Sequence, residues 1–118
     1  MSRNRVRQFV VDVIGERLRH NPDKARRIGG VFELEIEGEE GGTWVLDLDH
    51  ATVLPTSDTP VETRLRMSAS VFLDVVAGRM NEMHAFTSGR VLVEGDAGVA
   101  VRLREVLDPA GWQSVTAP

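Results

Sequence analysis

The chain has 118 residues, 42% of them hydrophobic and 27% charged, with a net charge of −4 and no cysteine. That length suits one domain with one core, and the composition is that of a globular protein rather than a disordered or fibrous one. The missing thiols exclude disulfides, cysteine nucleophiles and thiolate metal sites. No apolar run approaches the roughly 20 residues of a membrane span, and no cleavable apolar leader follows the Arg-rich start, so a cytoplasmic location is expected.

Val6, Phe9, Val10, Val13, Ile14 and Leu18 recur at helical spacing and predict an amphipathic first helix, slightly weakened by Gly15. Asn21-Pro22-Asp23 stops it and opens a short second turn that runs to Ile28 and ends at Gly29-Gly30. Phe32, Leu34 and Ile36 then alternate with glutamates, and Trp44, Leu46 and Leu48 alternate with Val45, Asp47 and Asp49, which predicts a hairpin with one covered and one wet face. Thr52 to Leu54 leaves room for a short third strand before the Pro55 to Pro60 loop.

Val61, Thr63, Leu65 and Met67 alternate with Glu62, Arg64 and Arg66 to give a fourth strand, and Ser68 or Ser70 caps the helix that follows. Val71, Phe72, Val75 and Val76 form its stripe, with Gly78 placed to end it. Gly89 to Glu94 reads as a fifth strand. Asp96 opens a last helix with Val99, Ala100, Leu103, Val106 and Leu107 on one face, stopped by Asp108-Pro109. An α+β layer architecture in one domain, 1–118, follows, with a loosely held tail over 109–118.

Charge is asymmetric. Residues 1–30 hold eight Arg or Lys against three acids, and the remainder holds six against fifteen. Arg3, Arg5 and Arg7 could therefore dock on an anionic membrane surface. A nucleic-acid partner is not expected, because the basic segment has only Phe9 as an aromatic and Phe9 belongs to the apolar stripe.

Chemistry is sparse. His20, His50 and His84 show no metal-ligand spacing, and Asp47, Asp49 and His50, the one compact group of hard donors, read as a wet strand surface, so no metal site is expected. Ser88 lies four residues after His84 without a nucleophile elbow or an orienting acid, and the glycines at 89, 95 and 98 do not have phosphate-loop spacing. No catalytic residue and no cofactor is assigned. The connection Met80 to Gly89 is too apolar for a solvated loop, and its methionines suit a wall that adapts to an irregular ligand.

Four segments in order, Trp44-Val-Leu-Asp-Leu48, Leu65-Arg-Met-Ser68 with Phe72-Leu-Asp-Val-Val-Ala-Gly78, Ala85-Phe-Thr-Ser-Gly-Arg-Val-Leu-Val-Glu-Gly-Asp96 and Gly98-Val-Ala-Val-Arg-Leu103, together resemble the sterol carrier protein type 2 family over about residues 30–107. The resemblance implies a five-stranded, mainly antiparallel sheet covered on one face by helices. It also implies an apolar tunnel for fatty acids, acyl-coenzyme A esters, sterols or similar lipids, in a protein that binds or transfers lipid. By position the walls would be Phe32, Leu34, Trp44, Leu46, Leu65, Met67, Phe72, Val75, Val76, Met80, Met83, Phe86 and Leu103. Glu82 departs from a family pattern that often has proline there. Two other functions remain open: an accessory subunit presenting lipid to a partner enzyme, and an enzyme using His84 with Ser88, or Asp47. At roughly 24 cal/mol per Å³ an empty void of about 300 Å³ would cost about 7 kcal/mol, so the pocket is expected to narrow unless it is filled.

Overall fold

Val6, Val10, Ile14 and Leu18, spaced by four residues, are all fully buried and anchor the first helical segment. In the computed structural model, which describes residues 4–55, 61, 63–109 and 112, α1 (Arg5–Arg7) passes through a π-helical stretch (Gln8–Ile14) into α2 (Gly15–His20). Four residues overshoot a 3.6-residue turn, so this stripe would wind around a purely α-helical segment. The wider π turn takes up the surplus and keeps all four side chains on the core. Val13, expected on the same stripe, is half-buried outside the core cluster, whereas Phe9 stands edge-on to Phe72 with ring centroids 5.8 Å apart. Pro22 opens α3 (Pro22–Ile28), which Gly29 ends at φ 73°.

Five strands form one sheet in the order β3-β2-β1-β4-β5. β1 (Val31–Glu37) pairs antiparallel with β2 (Gly42–Asp47) and parallel with β4 (Thr63–Ser68). β3 (Thr52–Pro55) and β5 (Leu92–Glu94) are antiparallel edges. The register sets Leu34 between Trp44 and Leu65 on the covered face. On the other face it sets Glu33 beside Arg64 and Glu35 beside Arg66, as ion pairs of 3.6 and 3.1 Å. Glu62 and the residues 56–60 lie outside the described residues.

β2 corrects the expectation of a wet outer face. Val45 and Asp47 are as buried as Trp44 and Leu46, and the turn after β2 folds back so that His50 meets Asp47. Asp47 remains polar there by accepting the backbone N–H of His50 at 3.0 Å while its second oxygen lies 2.9 Å from His50 Nδ1.

Ser68 Oγ accepts the N–H of Val71 and caps α4 (Ala69–Val76), which ends before Gly78 at φ 78°. The apolar connection that follows contains a helix not expected from the sequence, α5 (Glu82–Thr87). The fifth strand is shorter than expected because the Ala85 carbonyl accepts the N–H groups of Arg90 and Val91, at 2.9 and 3.1 Å, withdrawing them from the sheet. Asp96 Oδ1 accepts the Gly98 N–H ahead of α6 (Val99–Leu107), and Asp108 is extended before Pro109. Arg17 crosses from α2 to donate to the carbonyls of Val106 and Leu107, capping α6. Partial burial pulls its pKa down, opposed by the nearby Asp108, and the guanidinium also lies 5.6 Å from the Phe9 ring centroid. Of the tail, only Pro109 and Trp112 are described; Trp112 Nε1 donates to the Glu105 carbonyl. Among the described residues, no helix is long and apolar enough to cross a membrane.

Candidate functional site: an apolar seam between sheet and helices

The alternation of β4 turns Leu65 and Met67 inward, and the stripes of α4 and α6 turn Val75, Ala100, Leu103 and Leu107 toward them. Phe86 of α5 and Val91 complete the lining, with Glu82 as its one ionisable member. These side chains enclose about 10 Å³, close to the least volume that holds one water. The seam is therefore nearly closed, as the cost of an open void demands.

Of the expected walls, Leu65, Met67, Val75, Phe86 and Leu103 meet at this seam. Phe32, Leu34, Leu46, Phe72 and Trp44 belong to solid core, and Val76 and Met80 pack half-buried against it. Met83 is half-buried outside the core cluster. Periodicity reports which face of an element is apolar, but where two apolar faces fail to interlock depends on tertiary placement. Ala100 and Leu107 carry a legible signal, the helical stripe they share with Leu103. Val91 alternates with Val93. Glu82 has no signal in periodicity and stands out only as a departure from the family pattern.

α5 is positioned by its own ends. Asn81 Oδ1 accepts the N–H groups of Met83 and His84 at 2.9 and 3.1 Å, and the flanking Gly78 and Gly89 hold φ of 78° and 80° with open space where a Cβ would stand. The Ser88 hydroxyl donates to the Ala85 carbonyl and accepts from Arg90, so it is not aligned on the imidazole of His84. Asp47 is taken up by His50, and Asp49 accepts the Gly30 N–H. No group of three metal-ligating side chains occurs among the described residues.

A larger concavity of about 550 Å³ lies between α3 and α6, open to solvent and lined by Lys24, Arg27, Ile28, Gly98, Val101, Arg102 and Glu105. Its charged rim and its lack of any expected wall residue set it apart from the seam. At the basic end, Arg5 is bound by Glu40: Nη2 to Oε2 at 2.6 Å, Nε to Oε1 at 3.1 Å and backbone N to Oε1 at 2.8 Å. These hydrogen bonds lower the Glu40 pKa to about 2 and raise that of Arg5. Of the docking residues, Arg5 is thus charge-compensated, Arg7 is exposed, and Arg3 lies outside the described residues.

A five-stranded sheet whose helices meet over an apolar seam is the build of a small lipid-binding domain. The chain belongs to the SCP-2 sterol transfer family, whose model matches residues 11–108. It is 34% identical over 86 residues to human "Sterol carrier protein 2", a match covering 69% of this chain and 16% of that protein. It is 30% identical to the Caenorhabditis elegans "Non-specific lipid-transfer protein-like 1", covering 85% of this chain and 88% of that one. The chain thus spans about a sixth of the human relative and most of the nematode one. Its fold matches the solution structure of palmitated SCP2L2 from Aedes aegypti with a TM-score of 0.70 at 22% identity, over 91% of this chain and 97% of that one.

Proposed function

We propose that the seam opens to hold the apolar part of a lipid, and that this protein carries or transfers the lipid without transforming it. The observation that carries the reading is the lining itself, eight apolar side chains and one carboxylate drawn from the sheet, three helices and the residue ahead of β5. The fold match to a palmitated protein supports the same ligand class. The positions of His84, Ser88 and Asp47 support carriage over catalysis, since the hydroxyl and the buried carboxylate each have another partner. A cytoplasmic setting suits a cysteine-free chain of this composition.

The test is native mass spectrometry of the purified protein together with a thermal-shift series across fatty acids, alcohols, amines and sterols. A ligand at about 100 times its Kd adds about 2.7 kcal/mol. A raised Tm with at least one lipid class, with a matching 1:1 mass, is the expected result; no shift with any class would overturn the reading.

A second reading, a module that presents lipid to a partner enzyme, is favoured by the human relative, in which the matched region is only 16% of the protein. Recovery of one stable enzyme partner from cells, lost on closing the seam by mutation, tests it. A docking surface built on Arg3, Arg5 and Arg7 has less support, because Glu40 already neutralises Arg5.

A further inference from the structure

We propose that Glu82 selects the head group of the bound lipid. The seam then favours a chain ending in a hydrogen-bond donor, an alcohol or an amine, over one ending in an ionised carboxylate. This rests on the seam being the ligand site. Glu82 is the one ionisable residue lining it. Its carboxylate takes no part in capping, where Asn81 Oδ1 accepts the N–H groups of Met83 and His84. Among the described residues it has no ion pair or hydrogen bond. The arginines that flank α5 in the sequence are engaged elsewhere, Arg79 on Asp74 at 3.0 Å and Arg90 on Ser88 Oγ at 3.3 Å.

The half-buried Glu82 sits at the edge of the seam, its carboxylate oxygens open to solvent and without a donor from the protein. A hydroxyl or ammonium head that stops beside it supplies that donor, and an ammonium adds charge assistance. A carboxylate head stopping there would set two like charges side by side, and they repel.

The experiment is displacement of the neutral fluorophore N-phenylnaphthylamine from the whole protein at pH 7 by dodecanol, dodecylamine and dodecanoate, three ligands that share one chain length. The wild type is expected to bind dodecanol and dodecylamine about tenfold more tightly than dodecanoate. Glu82→Gln should bring dodecanoate to within about twofold of dodecanol, and Glu82→Lys should put dodecanoate ahead of dodecylamine. Equal binding of all three by the wild type, or an unchanged order in both variants, overturns the role of Glu82 and leaves the ligand site standing. Failure of all three to bind wild type and variants alike overturns the ligand site and this inference together.

Discussion

Ala100 is the position at which the seam can be closed with the least disturbance elsewhere. It is 6% exposed on α6 and lines the seam with Leu103 and Leu107. Ala100→Leu pushes three further carbons into a space of about 10 Å³, which has no room for them unless neighbours move. Overpacking of this kind costs about 1–3 kcal/mol, or roughly 4–12 °C in Tm for a domain of this size. A stability of the usual order, about 5–15 kcal/mol, tolerates that loss. The informative quantity is the ligand response. At a dodecanol concentration of about 100 times the wild-type Kd the wild type gains about 2.7 kcal/mol. If filling the seam raises Kd a hundredfold, the variant gains about 0.4 kcal/mol at the same concentration. Differential scanning fluorimetry with and without ligand reads both numbers. Val101→Leu, on the adjacent position of α6 but 50% exposed, should change neither. Full ligand stabilisation retained by Ala100→Leu, or lost equally by Val101→Leu, would refute the location of the site.

Three further outcomes follow from the surrounding structure. Phe72→Ala removes a fully buried ring and its edge contact with Phe9, and should cost about 3–5 kcal/mol in urea unfolding. Arg17→Met keeps the apolar stem but removes two hydrogen bonds to the end of α6; a loss of about 1–3 kcal/mol is expected, with faster amide exchange in the last turn of that helix. Glu40 should titrate by NMR with a midpoint near 2, and Arg5→Gln should return it toward the usual carboxylate range. Because its folded pKa is depressed, the pair's contribution is fully present above the ordinary carboxylate pKa and is lost as pH falls toward 2.

Most of the scaffold is legible in the sequence because its signals are local. Pro22 at a helix start, Ser68 as a cap, Gly29 and Gly78 at helix ends and Asp108 before Pro109 each act within a few residues, and each works as its chemistry predicts. Three features depend on contacts that local pattern does not carry. Asp47 is buried where the chain turns back and His50 meets its carboxylate. α5 is a single short turn-and-a-half held by the Asn81 cap and by an Ala85 carbonyl that accepts from Ser88, Arg90 and Val91, so it has no periodic stripe to announce it. The seam is harder still to foresee. Leu34 and Leu65 are neighbours in the register and equally buried, yet only Leu65 lines it, because the helices over β4 leave a fault in the packing that those elsewhere do not.

That fault also explains how a domain of this size can serve a bulky apolar ligand without carrying a standing void. At about 24 cal/mol per Å³ a closed seam of 10 Å³ costs about 0.2 kcal/mol, against about 7 kcal/mol for an open cavity of about 300 Å³. The difference falls on the binding step, where the ligand must part the walls and its buried apolar area must repay the parting, at about 0.8 kcal/mol per methylene. Around nine methylenes then offset the opening, so chains much shorter than that should bind poorly while longer ones bind with rising affinity. The walls that can yield at least cost are those of α5, six residues long and set between two glycines in a conformation other residues avoid. Affinity should therefore respond to stiffening of that segment. Gly89→Ala forces a side chain onto a φ of 80° and disturbs the end of α5 without touching the lining, so it should change the affinity for a dodecyl chain. An unchanged affinity in a variant that remains folded would assign the opening to α4 or α6 instead.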